Sequence, residues 1–408
     1  MFRSLRNYNA RLFFLGLLVS NVGSWLQFTA TSFLLYELTG SATDLGINSA
    51  LQFLPTLVLG AWAGSLSDRF SRQRTTAITQ SLMAIQALVL GVMDLTGVVN
   101  VGIVYALTFA LGVVGAIDNP ARRGLVTELV DPVDMTNALS LNTAVMTGSR
   151  VFGPALAAAL VGPVGTGWLF VANGLSYAAM IYGVLGLRQG EMFVPPRAPK
   201  GGTPVRDALR FVVHNEKLLV TFIVFTLVST FAFNYGVALP KLADEVWGNE
   251  KYFGWVLAVT SFGSMVGALL NARKIRITYR WVAGATILLG VSNLGLAWSP
   301  NVVAGFAWSI PLGIGGAAMI SSANSISQQE SPPDMRGRLL ALTAVAFLGS
   351  TPIGGPVTGW IADHVSVQWA LAYGGVISIV SGTAMLVWIL SRHPEHDVAR
   401  VVAPRQAE

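Results

Sequence analysis

No cysteine occurs in the 408 residues, which excludes disulfides and thiolate metal sites. Histidine is almost as scarce. His214, His364, His393 and His396 all fall in connecting segments or the tail, with no cluster spaced to hold a metal. No metal site is expected, and no histidine lies inside a long apolar run, where an intramembrane hydrolase would need one. The chain also lacks the G-x-x-x-x-G-K-S/T loop, so it does not hydrolyse ATP through a P-loop. Charge is sparse as well. Asp, Glu, Lys and Arg make up 11% of the residues, against roughly 25% in ordinary soluble domains. So few charges cannot coat a water-soluble globule of this length. The formal charge of +6 does not mark a nucleic-acid binder, because the basic residues lie in short turns between apolar runs.

Apolar residues fill the space that charge leaves. They make up 53% of the chain and are arranged in uninterrupted runs. About 20 apolar residues in a helix cross a bilayer core. Charge-free intervals at 12–36, 45–67, 75–93, 95–117, 218–240, 252–272, 339–362 and 365–391 each predict one span. The interval 281–329 splits near Ser299-Pro300-Asn301 into two. The stretch 135–187 splits near Gly162-Pro163-Val164-Gly165 into two more, with Arg150 inside the first. The sequence therefore predicts an all-α membrane protein of twelve transmembrane helices. The run after MFRSLRNYNAR is longer than a secretory h-region, so it reads as an uncleaved first span.

Lysine and arginine set the orientation. The N-terminus, alternate turns and the C-terminal tail hold 23 of the 26 basic residues. The opposite turns hold Lys241 and Lys251. By the positive-inside rule both termini are cytoplasmic. The halves also repeat. Asp131-Pro132-Val133-Asp134-Met135 recurs as Ser331-Pro332-Pro333-Asp334-Met335, 200 residues later. Gly153-Pro154 matches Gly355-Pro356, and Trp168 matches Trp369. The expected organisation is a six-helix half at 1–187, a cytoplasmic linker at 188–216, a second six-helix half at 217–391 and a tail at 392–408. The linker carries Val194-Pro195-Pro196, a helix-breaking stretch suited to a hinge.

The segment GAWAGSLSDRFSRQRTT at 60–76 concentrates charge between two apolar spans. Gly64, Asp68, Arg69, Arg72 and Arg74 follow the spacing G-x-x-x-D-R-x-x-R-x-R. This resembles the signature loop between the second and third helices of the major facilitator superfamily. Leu35-Tyr36-Glu37-Leu38-Thr39-Gly40-Ser41, Asp118-Asn119-Pro120-Ala121-Arg122 and Arg336-Gly337-Arg338 look closest to its enterobactin-exporter and macrolide-efflux-like branch. The resemblance covers about residues 10 to 391. It implies two six-helix pseudo-repeats around a central cavity that opens alternately to each side. It also implies that Asp68 latches the cytoplasmic ends of the halves against the start of the eleventh helix, about Met335–Arg338. A carboxylate at a helix N-terminus gains roughly 0.3–2 kcal/mol there. The second-half copy, Gly267 to Arg276, has Asn271 in place of the acid. The arginines of the loop would also enforce topology.

Arg150 lies roughly 14 residues into its helix, counted from about Thr136, near the bilayer midplane. Placing an arginine there costs at least ~2.5–3.5 kcal/mol on insertion scales, so it must face a cavity or a partner. One expectation is that it attracts an anionic cargo or responds to a titrating carboxylate. The other is an arginine bonded to backbone carbonyls at a helix break. Gly148, Gly153 and Pro154 are candidates for that break, with Gly355 and Pro356 as the counterpart in helix eleven. They loosely resemble the glycine-proline signature of the superfamily's drug/proton antiporters.

Candidate cavity residues are Asn21, Trp25 and Phe28, on one face of helix one at helical spacing, with Tyr105, Arg150 and Asn234. An aromatic cavity with few polar anchors suits a bulky amphipathic compound; plain helix packing is the alternative for each residue. Glu37 and Asp118 are the candidate coupling acids. The expected function is export of a small siderophore-, antibiotic- or drug-like compound across the plasma membrane. No cofactor is expected, with the proton gradient as energy source. The expected partners are the bilayer, the cargo and protons, with no nucleic acid and a monomeric state. A lipid or lysolipid translocator and a nutrient uptake symporter are the alternatives on the same scaffold.

Overall fold

The computed structural model describes residues 3–67, 70–193, 204–274, 276–332, 335–349 and 351–392. Its regular structure is helical throughout: α1 (Tyr8–Thr39), α2 (Ala42–Ser67), α3 (Arg72–Leu95), α4 (Val101–Glu128), α5 (Met135–Leu185), α6 (Pro204–His214) and α7 (Glu216–Phe231), followed by α8 (Tyr235–Glu245), α9 (Tyr252–Ala272), α10 (Tyr279–Ala297), α11 (Val302–Gln329), α12 (Arg336–Leu348), α13 (Thr351–His364) and α14 (Val367–Arg392). Among the described residues, ten helical stretches are long and apolar enough to cross a membrane.

Polar residues at the junctions decide where helices begin. Asn7, Asn100, Asn215, Thr278 and Asn301 each cap a helix by accepting a bond from the backbone N–H three residues on. Such caps matter at a membrane face, because the first-turn N–H groups have no intrahelical partner. The cap at Asn100 corrects one expectation. The fourth helix starts at Val101 and not at residue 95, after a turn in which Gly97 takes a positive φ of 71°. It then continues to Glu128, so Asp118, Arg122 and Arg123 lie inside the helix. Absence of charge did not locate that start, because the turn itself is uncharged.

The structure also relocates the expected helix breaks. Helix α5 is continuous through Gly148, Gly153 and Pro154; its non-helical backbone is at Gly165, where φ is 80° and ψ 168°. That conformation is open to glycine and strained for other residues. Gly355 and Pro356 likewise sit inside α13, and the interruption falls between Leu348 and Thr351. Pro352 lies in the first turn of α13, where a missing N–H has no consequence. The expected seventh span is divided too, at Ala232, Phe233 and Asn234 between α7 and α8. Within the linker, residues 204–214 form α6, with Ala208 and Val212 buried and Leu209 and Val213 exposed. The Pro-rich stretch 194–203 and the tail from 393 lie outside the described residues.

The chain divides into two compact units. Unit 1 comprises Met1–Gly40, Leu51–Pro199 and Lys251–Ala258; unit 2 comprises Ser41–Ala50, Lys200–Glu250 and Val259–Glu408. In unit 1, α1 and α3 pack along α5 around Phe13, Leu17, Leu125, Leu129 and Met180, all fully buried. In unit 2, α10 packs between α14 and α11. Lipid tails are as apolar as leucine, so burial alone does not hold such bundles together. Close backbone contact and interhelical hydrogen bonds do.

Candidate functional site

The inner polar groups of unit 1 are organised around one carboxylate. Asp118 is 1% exposed. Its Oδ1 accepts bonds from Thr79 Oγ1 at 2.7 Å and Gln80 Nε2 at 3.1 Å. Its Oδ2 pairs with Arg122 Nε, one turn further along α4, at 3.2 Å. Gln80 Oε1 in turn accepts from Ser20 Oγ at 3.0 Å, tying α3 to α1. A second buried set lies further along the same helices. Gln27 donates to Gln86 Oε1 at 3.0 Å and accepts from Asn173 Nδ2 at 2.6 Å. Ser24 and Tyr177 meet at 3.1 Å between the two sets. The network binds α1, α3, α4 and α5 through polar groups that could not otherwise be satisfied in an apolar bundle. Sequence spacing singled out Asp118 but not its neighbours, because Ser, Thr and Gln do not interrupt a charge-free run.

Four of the six candidate cavity residues lie in α1 and α5. Arg150 is exposed, and its guanidinium carbon sits 5.1 Å from the centroid of the half-buried Trp25 ring. Trp25 meets Phe28 edge-on at 5.3 Å. Asn21, one turn before Trp25 on the same face, is 5% exposed, and its Nδ2 makes no hydrogen bond among the described residues. Tyr105 is half-buried on α4. Asn234 is committed elsewhere: it donates to Thr230 O at 2.6 Å and packs against Gly354, within unit 2.

Gly153 permits the approach of α1 to α5, because a Cβ there would run into the Cβ of Trp25. At Gly148 a Cβ would meet nothing within 4 Å. Gly148→Ala is therefore expected to be neutral or stabilising by up to about 1 kcal/mol through helix propensity. Gly153→Ala should lower the melting temperature in detergent and displace Trp25. Equal behaviour of the two variants in thermal unfolding would show that the contact at Gly153 is slack.

The arginine-rich loop is described in part. Asp68 and Arg69 lie outside the described residues. Gly64 falls in the last turns of α2. Arg72 is pinned to α4, bonding Glu128 Oε1 at 2.9 Å and Gly124 O at 3.3 Å. Arg74 is exposed. In the second-half copy, Asn271 Oδ1 accepts from Trp281 Nε1 and Ser322 Oγ, both at 2.9 Å, so the residue that replaces the acid joins α9, α10 and α11. Glu37, the other coupling candidate, is exposed near the end of α1.

Unit 2 contains a charged site that sequence reasoning missed. Asp363, near the end of α13, accepts five hydrogen bonds. Oδ1 takes Ala42 N at 3.0 Å and Lys241 Nζ at 2.7 Å. Oδ2 takes Ser41 Oγ at 2.8 Å, Thr43 N at 2.8 Å and Thr43 Oγ1 at 2.7 Å. Ser41 also accepts from Asp44 N at 3.2 Å, the usual N-cap bond. One carboxylate thus caps the first turn of α2 and neutralises a lysine. Lys241 also lies 3.7 Å from Glu245. Gly46 and Gly359 let the two helices touch backbone to backbone. The available signal was Lys241, one of two basic residues assigned to the outer turns, together with an acid ending the eleventh charge-free run.

The profile of a family described as transmembrane secretion effectors matches residues 1–406. The chain belongs to this family. The chain is similar to the staphyloferrin A transporter of Staphylococcus aureus (strain NCTC 8325 / PS 47), at 23% identity over 366 residues, covering 88% of this chain and 90% of the relative. It is 26% identical over 374 residues to the multidrug efflux pump Tap of Mycolicibacterium fortuitum, covering 86% of this chain and 88% of the relative. The crystal structure of the nucleoside transporter NupG superposes with a TM-score of 0.70 at 14% identity, over 93% of this chain and 98% of that one. At that identity the likeness is one of fold. The chain is accordingly a multi-pass membrane transporter of the major facilitator superfamily with efflux-type relatives, and not an enzyme.

Proposed function

We propose that this transporter exports a small amphipathic compound across the plasma membrane by alternating access, in antiport with protons. In this reading twelve spans form two six-helix halves, with both termini in the cytoplasm. The observation that carries it is the capping of α2 by Asp363. The first turns of α2, Ser41–Ala50, cluster with unit 2, whereas the rest of the helix belongs to unit 1. Those turns are held by polar bonds to one carboxylate, a contact that can break and re-form. Capping at the outer end would complement the cytoplasmic latch expected of Asp68, so that each is made when the other is open. Asp118 is the coupling acid in this scheme, with Arg122 on its own helix, Thr79 and Gln80 on α3 and the phenol of Tyr177 on α5 as the groups around it.

The test uses protein reconstituted in liposomes under an inward or outward pH gradient, with internal pH followed beside the cargo. Proton-driven export requires that movement follow the gradient and collapse in Asp68→Asn. Movement indifferent to the gradient would overturn the antiport assignment. A second reading has one observation in its favour. A groove of about 590 Å³ runs between α7 and α14 within unit 2, lined by Val220, Ile223, Leu227, Val376, Val380 and Trp388 among others. Its lining suits an acyl chain. Translocation of a fluorescent lysolipid without a pH gradient would favour that reading.

A further inference from the structure

The groove between α7 and α14 has a length, a lining and a charged end that single out one occupant. Val220, Leu227 and Phe231 recur along α7 at helical spacing and face Val376, Val380 and Trp388 on α14. The two helices close on each other at one end. There Phe231 meets Tyr373 edge-on at 6.0 Å, and a Cβ on Gly374 would run into the Phe231 carbonyl. From Phe231 back to Val220 the groove runs about 16 Å along α7. Half of a bilayer core is about 15 Å. The groove is thus as long as one leaflet is deep.

The lining is apolar along this length, and the Ser381 hydroxyl turns back to donate to Ile377 O at 2.7 Å. Leu227, Val376 and Val380 are nonetheless exposed. Exposed apolar walls on transmembrane helices belong against hydrocarbon. Left void, a channel of about 590 Å³ would cost those walls their dispersion contacts. Charge stands at the open end. Glu216 lies one turn before Val220 and Arg392 one turn after Trp388, and the two pair at 3.3 Å. Their side chains are 53% and 68% exposed, so the pair is weak and a phosphate can join it at Arg392. Trp388 sits one turn inside this charged end, the depth at which indole rings meet headgroups.

We propose that the groove seats a resident phospholipid, with one acyl chain between α7 and α14 and the phosphate at Arg392. Closed at Phe231, the groove does not continue to the opposite membrane face, which suits a lipid that stays and not one that crosses. The site therefore stands apart from both transport readings. In the topology proposed above, the lipid belongs to the cytoplasmic leaflet.

The test is photo-crosslinking of the purified full chain in dodecyl maltoside with phosphatidylglycerol that carries a diazirine in one acyl chain. Labelled residues are mapped by mass spectrometry. Label is expected at 220–231 and 376–388, saturable, and displaced by unlabelled phosphatidylglycerol. Diacylglycerol with the same chains lacks the phosphate and should compete about fivefold less well. Arg392→Gln should weaken phosphatidylglycerol about fivefold and leave diacylglycerol unchanged. The double variant Leu227→Trp/Val380→Trp fills the groove and should lose the label. Val387→Trp, at an exposed position of α14 outside the lining, should keep it.

The wild-type labelling pattern needs no variant, so a misfolded substitution does not decide the matter. Label spread evenly over exposed apolar helices without saturation overturns the proposal, as does undiminished label in the filled groove. Equal competition by diacylglycerol removes the phosphate contact. A fluorescent lysolipid carried across phosphatidylethanolamine/phosphatidylglycerol vesicles by the wild type, but not by the filled variant, would make the groove a cargo path and overturn the resident role. Saturable label confined to the groove in a protein that moves no cargo under either pH gradient counts against the export reading alone.

Discussion

Replacing Asp363 with alanine is expected to abolish most export and to free the first turn of α2. Five hydrogen bonds converge on this carboxylate, and its side chain and that of Lys241 are only 14% and 13% exposed. Removing the carboxylate leaves Lys241 with the half-exposed Glu245 at 3.7 Å, so the loss falls below the about 3–5 kcal/mol of a fully stranded buried charge. The backbone N–H groups of Ala42 and Thr43 have no partner within their own helix and depend on Asp363. Their hydrogen exchange should quicken about 10- to 100-fold, as expected for loss of a charge-assisted bond. Asp363→Asn should be milder, because the amide oxygen still accepts from α2 while the attraction to Lys241 is gone. Lys241→Met should be milder still at Ala42 and Thr43, whose bonds survive. Wild-type exchange at both amides together with wild-type transport in Asp363→Ala would remove the Asp363 cap from the mechanism.

The second large effect is expected at Asp118. Its partner Arg122 is 14% exposed, so Asp118→Leu strands a guanidinium among α3 and α4. The expected loss is about 3–5 kcal/mol, read as a lower melting temperature in detergent. The double variant Asp118→Leu/Arg122→Met should recover most of that stability, because replacing a buried pair by apolar side chains of similar size is often neutral. Transport separates structure from coupling. If Asp118 carries the proton, the stable double variant still exchanges cargo down its gradient but no longer accumulates it against one when a pH gradient is applied. A double variant that is both stable and gradient-driven would leave Asp118 a structural acid.

Much of the architecture was legible because membrane helices announce themselves through one-dimensional hydropathy. A run such as 252–272 has no charge and must satisfy its backbone internally, so helix is the sole open choice for an isolated span. The break at Gly165 falls in the Gly162–Gly165 segment where it was expected, and the junction between α10 and α11 falls at Ser299-Pro300-Asn301. Boundaries governed by capping were less legible. The start of α4 depended on a single bond from Ile103 N to Asn100, which leaves no mark in a hydropathy pattern. Gly148 and Pro154 looked like a break, but α5 stays helical through both.

Composition and charge spacing alone determined that the chain is helical and lodged in a membrane, since both follow from the cost of placing polar groups in lipid. They also drew attention to Arg150 and Asp118, whose charges are conspicuous in such surroundings. Tertiary structure decided what these charges meet. It set Arg150 over Trp25, closed Asp118 in with Thr79, Gln80 and Arg122, and brought Asp363 to the first turn of α2, more than 300 residues away in sequence. Partners that far apart are chosen by helix packing, through contacts that act over a few ångströms and that no local pattern encodes.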